Sequence, residues 1–158
     1  MKYFPALAVS VSLLSAAAVA APQVTEQPVL TYTQARSVAD KAEQVMTRHH
    51  LGGVIAIVDG AGQTVITERL DGATLANSEL APKKAHSAAA FGVSTASFQQ
   101  KIAAGNLGLL GNPVVIPLPG GEPLKIKGIV VGAIGVSTPD GNVDSEAAQA
   151  AITALNAG

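Results

Sequence analysis

Cysteine is absent from all 158 residues, which excludes disulfides, thiolate nucleophiles, Cys-ligated zinc, iron–sulfur clusters and haem attached through a C-x-x-C-H motif. Charge is scarce as well. Asp, Glu, Lys and Arg make up 13% of the chain, 10 basic against 11 acidic residues, for a net charge of -1. So little charge fits neither a disordered polar chain nor a coiled coil, and the near balance gives no electrostatic footing on a nucleic-acid backbone. Tryptophan is missing, with only two Tyr and three Phe beside it. Catalytic signatures are missing too: the chain has no G-x-S-x-G, H-E-x-x-H, P-loop or G-x-G-x-x-G in a β–α setting. Gly105-Asn106-Leu107-Gly108 has a glycine-loop look, but no buried strand precedes it.

What remains is a chain 48% hydrophobic, of a length that fits one compact domain with a core of its own. Residues 1–21 read as a secretory signal peptide: Lys2 near the start, an apolar run from Ala6 to Leu14, and Ala18-Val19-Ala20 as the cleavage site. That run is shorter than the ~20 residues of a spanning helix. The leader predicts a periplasmic or secreted protein with no stable membrane insertion after cleavage. Residues 22–30 read as a flexible lead-in, and 31–158 as a single domain.

Within the domain, Thr31-Tyr32-Thr33-Gln34 has capping-box spacing. Behind it Ala35, Val38, Ala39, Ala42, Val45 and Met46 recur at helical spacing, predicting an amphipathic helix from Thr31 to about His49. Gly52-Gly53 ends it. Val54–Val58, the turn Asp59–Gly62 and Thr64–Leu70 predict a β-hairpin, with Asp59 and Asp71 capping their own turns. A helix is expected over about Ser78–Phe91, opening near Pro82, and a shorter one over Thr95–Ala103. Gly105–Asn112 reads as a glycine-rich loop. Val114–Leu118 and Pro123–Lys127 predict a second hairpin around Pro119–Glu122, and Gly128–Val136 a central strand. A last helix, capped by Asp144 or Ser145, runs through Leu155. The fold class is α+β, with helices packed on an antiparallel sheet.

Several of these stretches, taken in order, resemble one family. They are Ala56–Gly62, Arg69–Ala73, Lys84-Ala85 with Ala88 and Phe91, Pro117–Gly121, and Gly132–Ser137 followed by Asp144 and Ala147. Together they are similar to the domain shared by GlcG-like proteins, HbpS-like haem-binding proteins and the C-terminal part of PduO-type proteins. The resemblance implies a profilin-like α/β/α fold with a central antiparallel five-stranded sheet flanked by helices. It also implies homo-oligomers and association with haem or a related tetrapyrrole. Some members carry a haem-degradation label.

A non-covalently bound haem needs an apolar slot, an axial ligand and cations for its propionates. His86, His50 and His49 are the histidines available, with His86 and His50 the candidate metal ligands. Met46 and Tyr32 are weaker ones. His86 has low-bulk neighbours in Ala85, Ala88, Ala89 and Ala90, although it equally fits a polar helix face. His49 and His50 end the first helix, pointing about 100° apart. Lys84 and Arg69 are the cations that the family match singles out, for propionates or for protein carboxylates. Gly132 and Gly135 let a helix, a backbone or a flat ligand approach the central strand. Asp140, Asp144 and Glu146 offer too few fixed oxygens for a calcium loop.

The expected function is capture or buffering of haem outside the cytoplasm, without catalysis. Two alternatives are a haem-degrading or haem-dependent redox enzyme, and an oligomeric interaction module without ligand. Abundant Ala, Val and Ile with little charge predict subunit interfaces.

Overall fold

The computed structural model describes residues 26–155; the leader read over 1–21 lies outside the described residues. The order is α1 (Tyr32–Arg48), β1 (Val54–Asp59), β2 (Thr64–Arg69), α2 (Leu75–Phe91), α3 (Ala96–Ala103), a 3-10 turn (Leu107–Gly111), β3 (Gly121–Ile126), β4 (Ile129–Ser137) and α4 (Gly141–Leu155). All strand pairs are antiparallel, in the order β2-β1-β4-β3. The sheet therefore has four strands rather than five.

The missing strand is Val114–Leu118. Pro113, Pro117 and Pro119 deprive that stretch of N–H donors, and the Ile116 N–H goes to the Ser87 hydroxyl on α2 instead. The second hairpin forms one strand later, between β3 and β4. Lys127 (φ 50°) and Gly128 (φ 81°) both take positive φ, as a two-residue type I′ turn requires.

Alternation along β1 divides the core. Ile55 and Ile57 join Ile134, Val136 and Leu124 under α1 and α4, while Val54, Ala56 and Val58 join Ala133 under Ala81, Ala85 and Ala88 of α2. The result is the three-layer α/β/α arrangement, with α1 and α4 on one sheet face and α2 on the other. α2 lies close because residue 135 is glycine. A Cβ there would stand 2.0 Å from the Ala81 carbonyl oxygen, so Gly135 serves helix-on-sheet packing.

The capping box of α1 forms as read: Gln34 N–H donates to Thr31 Oγ1, and Gln34 Oε1 accepts from Thr31 N–H. α2 starts at Leu75 instead of Ser78, because Thr74 and Asn77 make the same reciprocal box. Pro82 consequently lies inside that helix. α4 starts at Gly141, ahead of both expected caps, with Asp140 Oδ1 accepting from Asn142 N–H. Packing also reaches one residue into the lead-in, since Leu30 lies half-buried against the core.

Candidate functional site

The first candidate site is a cleft of about 420 Å³ between the β1–β2 turn, α2 and the segment after the 3-10 turn. Val58, Pro82, Pro113, Val114 and Ile116 give it aliphatic walls, and Thr64, Lys83 and His86 supply its polar groups. Its volume lies within the roughly 300–1,000 Å³ usual for small-molecule sites. His86 projects from α2 with its side chain exposed.

The β1–β2 turn closes beside that imidazole because residue 62 is glycine at φ 78°: a Cβ there would lie 2.8 Å from His86 Nδ1. Asp59 holds the same turn, accepting from the N–H groups of Ala61 and Gln63, both at 2.9 Å. The structure thus aims the ring with a glycine and a side-chain-to-backbone clamp. Among the described residues the imidazole has no hydrogen-bond partner, and with Nδ1 packed beside Gly62 its Nε2 is the nitrogen left for a ligand. Lys83 stands at the same cleft, with Glu79 3.6 Å away on the next turn of the helix. An exposed pair of that kind is weak, and its ammonium can turn to an incoming carboxylate.

The other expected residues lie elsewhere. His49 and His50 follow α1 on the opposite face of the sheet from α2, so neither can share a metal with His86. His49 Nε2 lies 2.8 Å from Glu146 Oε2, and His50 takes the left-handed conformation (φ 55°) that ends the helix. Arg69 sits at the far end of β2 from Thr64, about 17 Å away at the strand rise, and donates to the Ala73 carbonyl at 2.6 Å. Met46 is fully buried in the core, and Tyr32 is exposed at the start of α1.

Lys84 does not line the His86 cleft; it is buried against a protein carboxylate and is among the residues lining a second cavity of about 360 Å³. It is 2% exposed, and its ammonium donates to Asp144 Oδ2 at 2.7 Å and to the Val136 carbonyl at 2.9 Å. Burial pushes the lysine below its ordinary range, opposed by the hydrogen bond and charge of Asp144. Burial likewise pushes the Asp144 carboxyl up, opposed by Lys84 and by its bonds to Thr138. Of the two partners offered to Lys84 by its sequence, the protein carboxylate is the one it has.

Asp140, Asp144 and Glu146 diverge, to the α4 cap, to Lys84 and to His49. Among the described residues no three His, Cys, Asp or Glu side chains cluster as a metal site. Of the nine residues lining the cleft, the sequence singles out His86 alone as a site residue. The pairing of Gly62 with His86 is a contact across 24 positions that no local pattern announces.

A family model described as "Haem degrading protein HbpS-like" matches residues 30–153. Among solved structures, the chain is similar to HbpS (31% identity, TM-score 0.77, covering 87% of this chain and 99% of that one). It is also similar to a PduOC–heme complex (30% identity, TM-score 0.75, 82% and 96%). Among curated proteins, PduO of Salmonella typhimurium, a corrinoid adenosyltransferase, is 34% identical over 128 residues, which are 78% of this chain and 37% of that protein. The chain thus spans about a third of the length of the PduO relatives it matches. GlcG of Escherichia coli K12 is 24% identical over 109 residues, 69% of this chain and 81% of that protein.

Proposed function

Because this chain belongs to the HbpS-like family, we propose that it binds haem or a related tetrapyrrole without a covalent bond, in the cleft beside His86. The observation that carries this reading is a single one: an unpartnered imidazole held against an aliphatic cleft by a glycine turn, with a lysine beside it. Haem brings to such a site an iron that takes axial nitrogen ligands. The chain offers His86 as that ligand, Val58, Val114 and Ile116 as apolar walls that shed water, and Lys83 as the cation for a propionate. The relative solved as a heme complex supports the choice of ligand.

The leader of residues 1–21 supports export, and the protein captures or buffers haem in the periplasm or outside the cell. Among the described residues no helix is long and apolar enough to cross a membrane. Homo-oligomers are part of the proposal, supported by apolar side chains left on the surface at Val29, Tyr32 and Leu75.

Hemin titrated into leaderless protein should give a saturable Soret shift at one hemin per chain. His86→Ala should abolish it, while His49→Ala and His50→Ala leave it intact. An equal response in all four proteins would reject the His86 site.

A second reading, haem breakdown, is favoured by the description of the family model. Among the described residues, however, the cleft lining holds no carboxylate, and His86 and Lys83 are its titratable groups. Adding ascorbate and catalase to the loaded protein separates the readings. A persistent Soret band is expected, and its replacement by a linear tetrapyrrole would install the enzyme in place of the carrier.

A further inference from the structure

We propose that Leu107 and Leu110 are ligand-covering residues, carried on a short lid at the mouth of the His86 cleft, and that they set how long a bound tetrapyrrole stays. The inference rests on the haem reading and deepens it.

Leu107 and Leu110 are 62% and 63% exposed, whereas Leu30, Leu70, Leu124 and Leu155 lie in or against the core. They sit on the 3-10 turn Leu107–Gly111, whose backbone bonds run only within the stretch from α3 to Asn112, such as Asn106 N–H to Lys101 O and Asn112 N–H to Leu109 O. Nothing stands within 4 Å of where a Cβ would be on Gly105 or Gly111, the glycines flanking the turn, and Gly105 takes φ 98°. The turn is therefore flanked by glycines that no neighbouring group crowds.

Its downstream end is fixed, and fixed at the cleft. Pro113, Val114 and Ile116 line that cavity, and Ile116 N–H is tied to Ser87, the residue after His86. Leu110 lies three residues before Pro113, so their Cα atoms are within about 11 Å, the span of three trans peptides. Leu110 is thus tethered close to residues that line the cleft. The cleft is open and aliphatic, so a flat macrocycle lying in it exposes apolar surface to water. The two largely exposed leucines are the groups that would cover it.

Hemin-loaded wild type and a Leu107→Ser/Leu110→Ser variant are mixed with excess apomyoglobin, and the release rate is read from the Soret band. The double variant should release hemin about tenfold faster or more, tenfold being about 1.4 kcal/mol. Amide hydrogen exchange across Gly105–Gly111 should slow in wild type on loading. Circular dichroism and sedimentation of the unloaded proteins, expected to be identical, control for folding and assembly. Equal release rates with unchanged exchange would overturn the lid while leaving the haem reading in place. A changed sedimentation coefficient with equal release would assign the leucines to a second copy of the chain. Failure of wild type to bind hemin would overturn both.

Discussion

At the scale of single residues, Lys84 and Asp144 form a buried ion pair across the fold. They stand 60 positions apart, and both side chains are 3% exposed. Their pair ties α2 to the start of α4 and to the end of β4 through the Val136 carbonyl. The adjoining glycines belong to the same device: Gly120 takes φ 101°, and a Cβ on Gly121 would meet the Lys84 carbonyl oxygen at 2.7 Å. Removing one partner strands a charge in a buried place, so Lys84→Met should destabilise the fold by about 3–5 kcal/mol. Lys84→Met with Asp144→Leu should cost much less than the sum of the two single changes. Urea unfolding of the three variants measures this, and additive costs would contradict a coupled pair. Little of this was legible beforehand: the sequence offered Lys84 a carboxylate partner without saying which. His86 was legible as one of three histidines, whereas its glycine neighbour at position 62 was not. Single-chain patterns report contacts three or four residues apart, and these contacts span tens of positions.

At the scale of elements, local chemistry predicts well wherever the partner is local. The α1 capping box, the first hairpin and the Asp59 turn follow from residues within four positions. The start of α2 was missed because Asn77 takes the role usual for Glu or Gln in its box. The fifth strand was drawn from β-branched residues while three prolines argued for a strap. Ser94 and Thr95, just before α3, are tied to β3: Thr95 N–H donates to the Gly121 carbonyl, Gly121 N–H donates to Thr95 Oγ1, and the Ser94 hydroxyl donates to Glu122 Oε1 at 2.6 Å. Burial pushes the Glu122 carboxyl above its ordinary range, opposed by that bond. Its folded form therefore holds a proton more tightly than the unfolded chain does. Between the ordinary carboxylate range and the raised value, stability from this group rises as pH falls; at neutral pH the fold carries the cost of a desolvated charge. Glu122→Gln keeps an oxygen to accept from Ser94. It should be more stable than wild type at pH 7, by up to about 1 kcal/mol, a common size for single substitutions. The gain should shrink toward pH 4, where wild-type Glu122 takes up its proton. Urea unfolding at the two pH values reads the difference, and a gain independent of pH would show that the charge is not its source.

At the scale of the whole molecule, the sheet is a partition. The larger aliphatic side chains Ile55, Ile57, Leu124 and Ile134 lie on the α1 and α4 side, which is dense core. The α2 side is built largely of alanine and glycine and is thin. Beside α2, the β1–β2 turn and the proline strap leave the cleft that His86 enters. The same partition puts His49 and His50 behind the sheet, tied to the α4 layer through Glu146. One chain therefore offers one imidazole to the cleft, and a carrier that holds its ligand from one side and covers it from another follows from that layout.

The location of the ligand tests this most directly. Amide chemical shifts of the leaderless protein, recorded with and without gallium protoporphyrin, map where a diamagnetic macrocycle sits. The account predicts that the largest changes cluster at Gly62, Lys83–Ser87 and Val114–Ile116, with His49–Leu51 unmoved. Changes centred on His49–Leu51, or spread evenly over the surface, would contradict it.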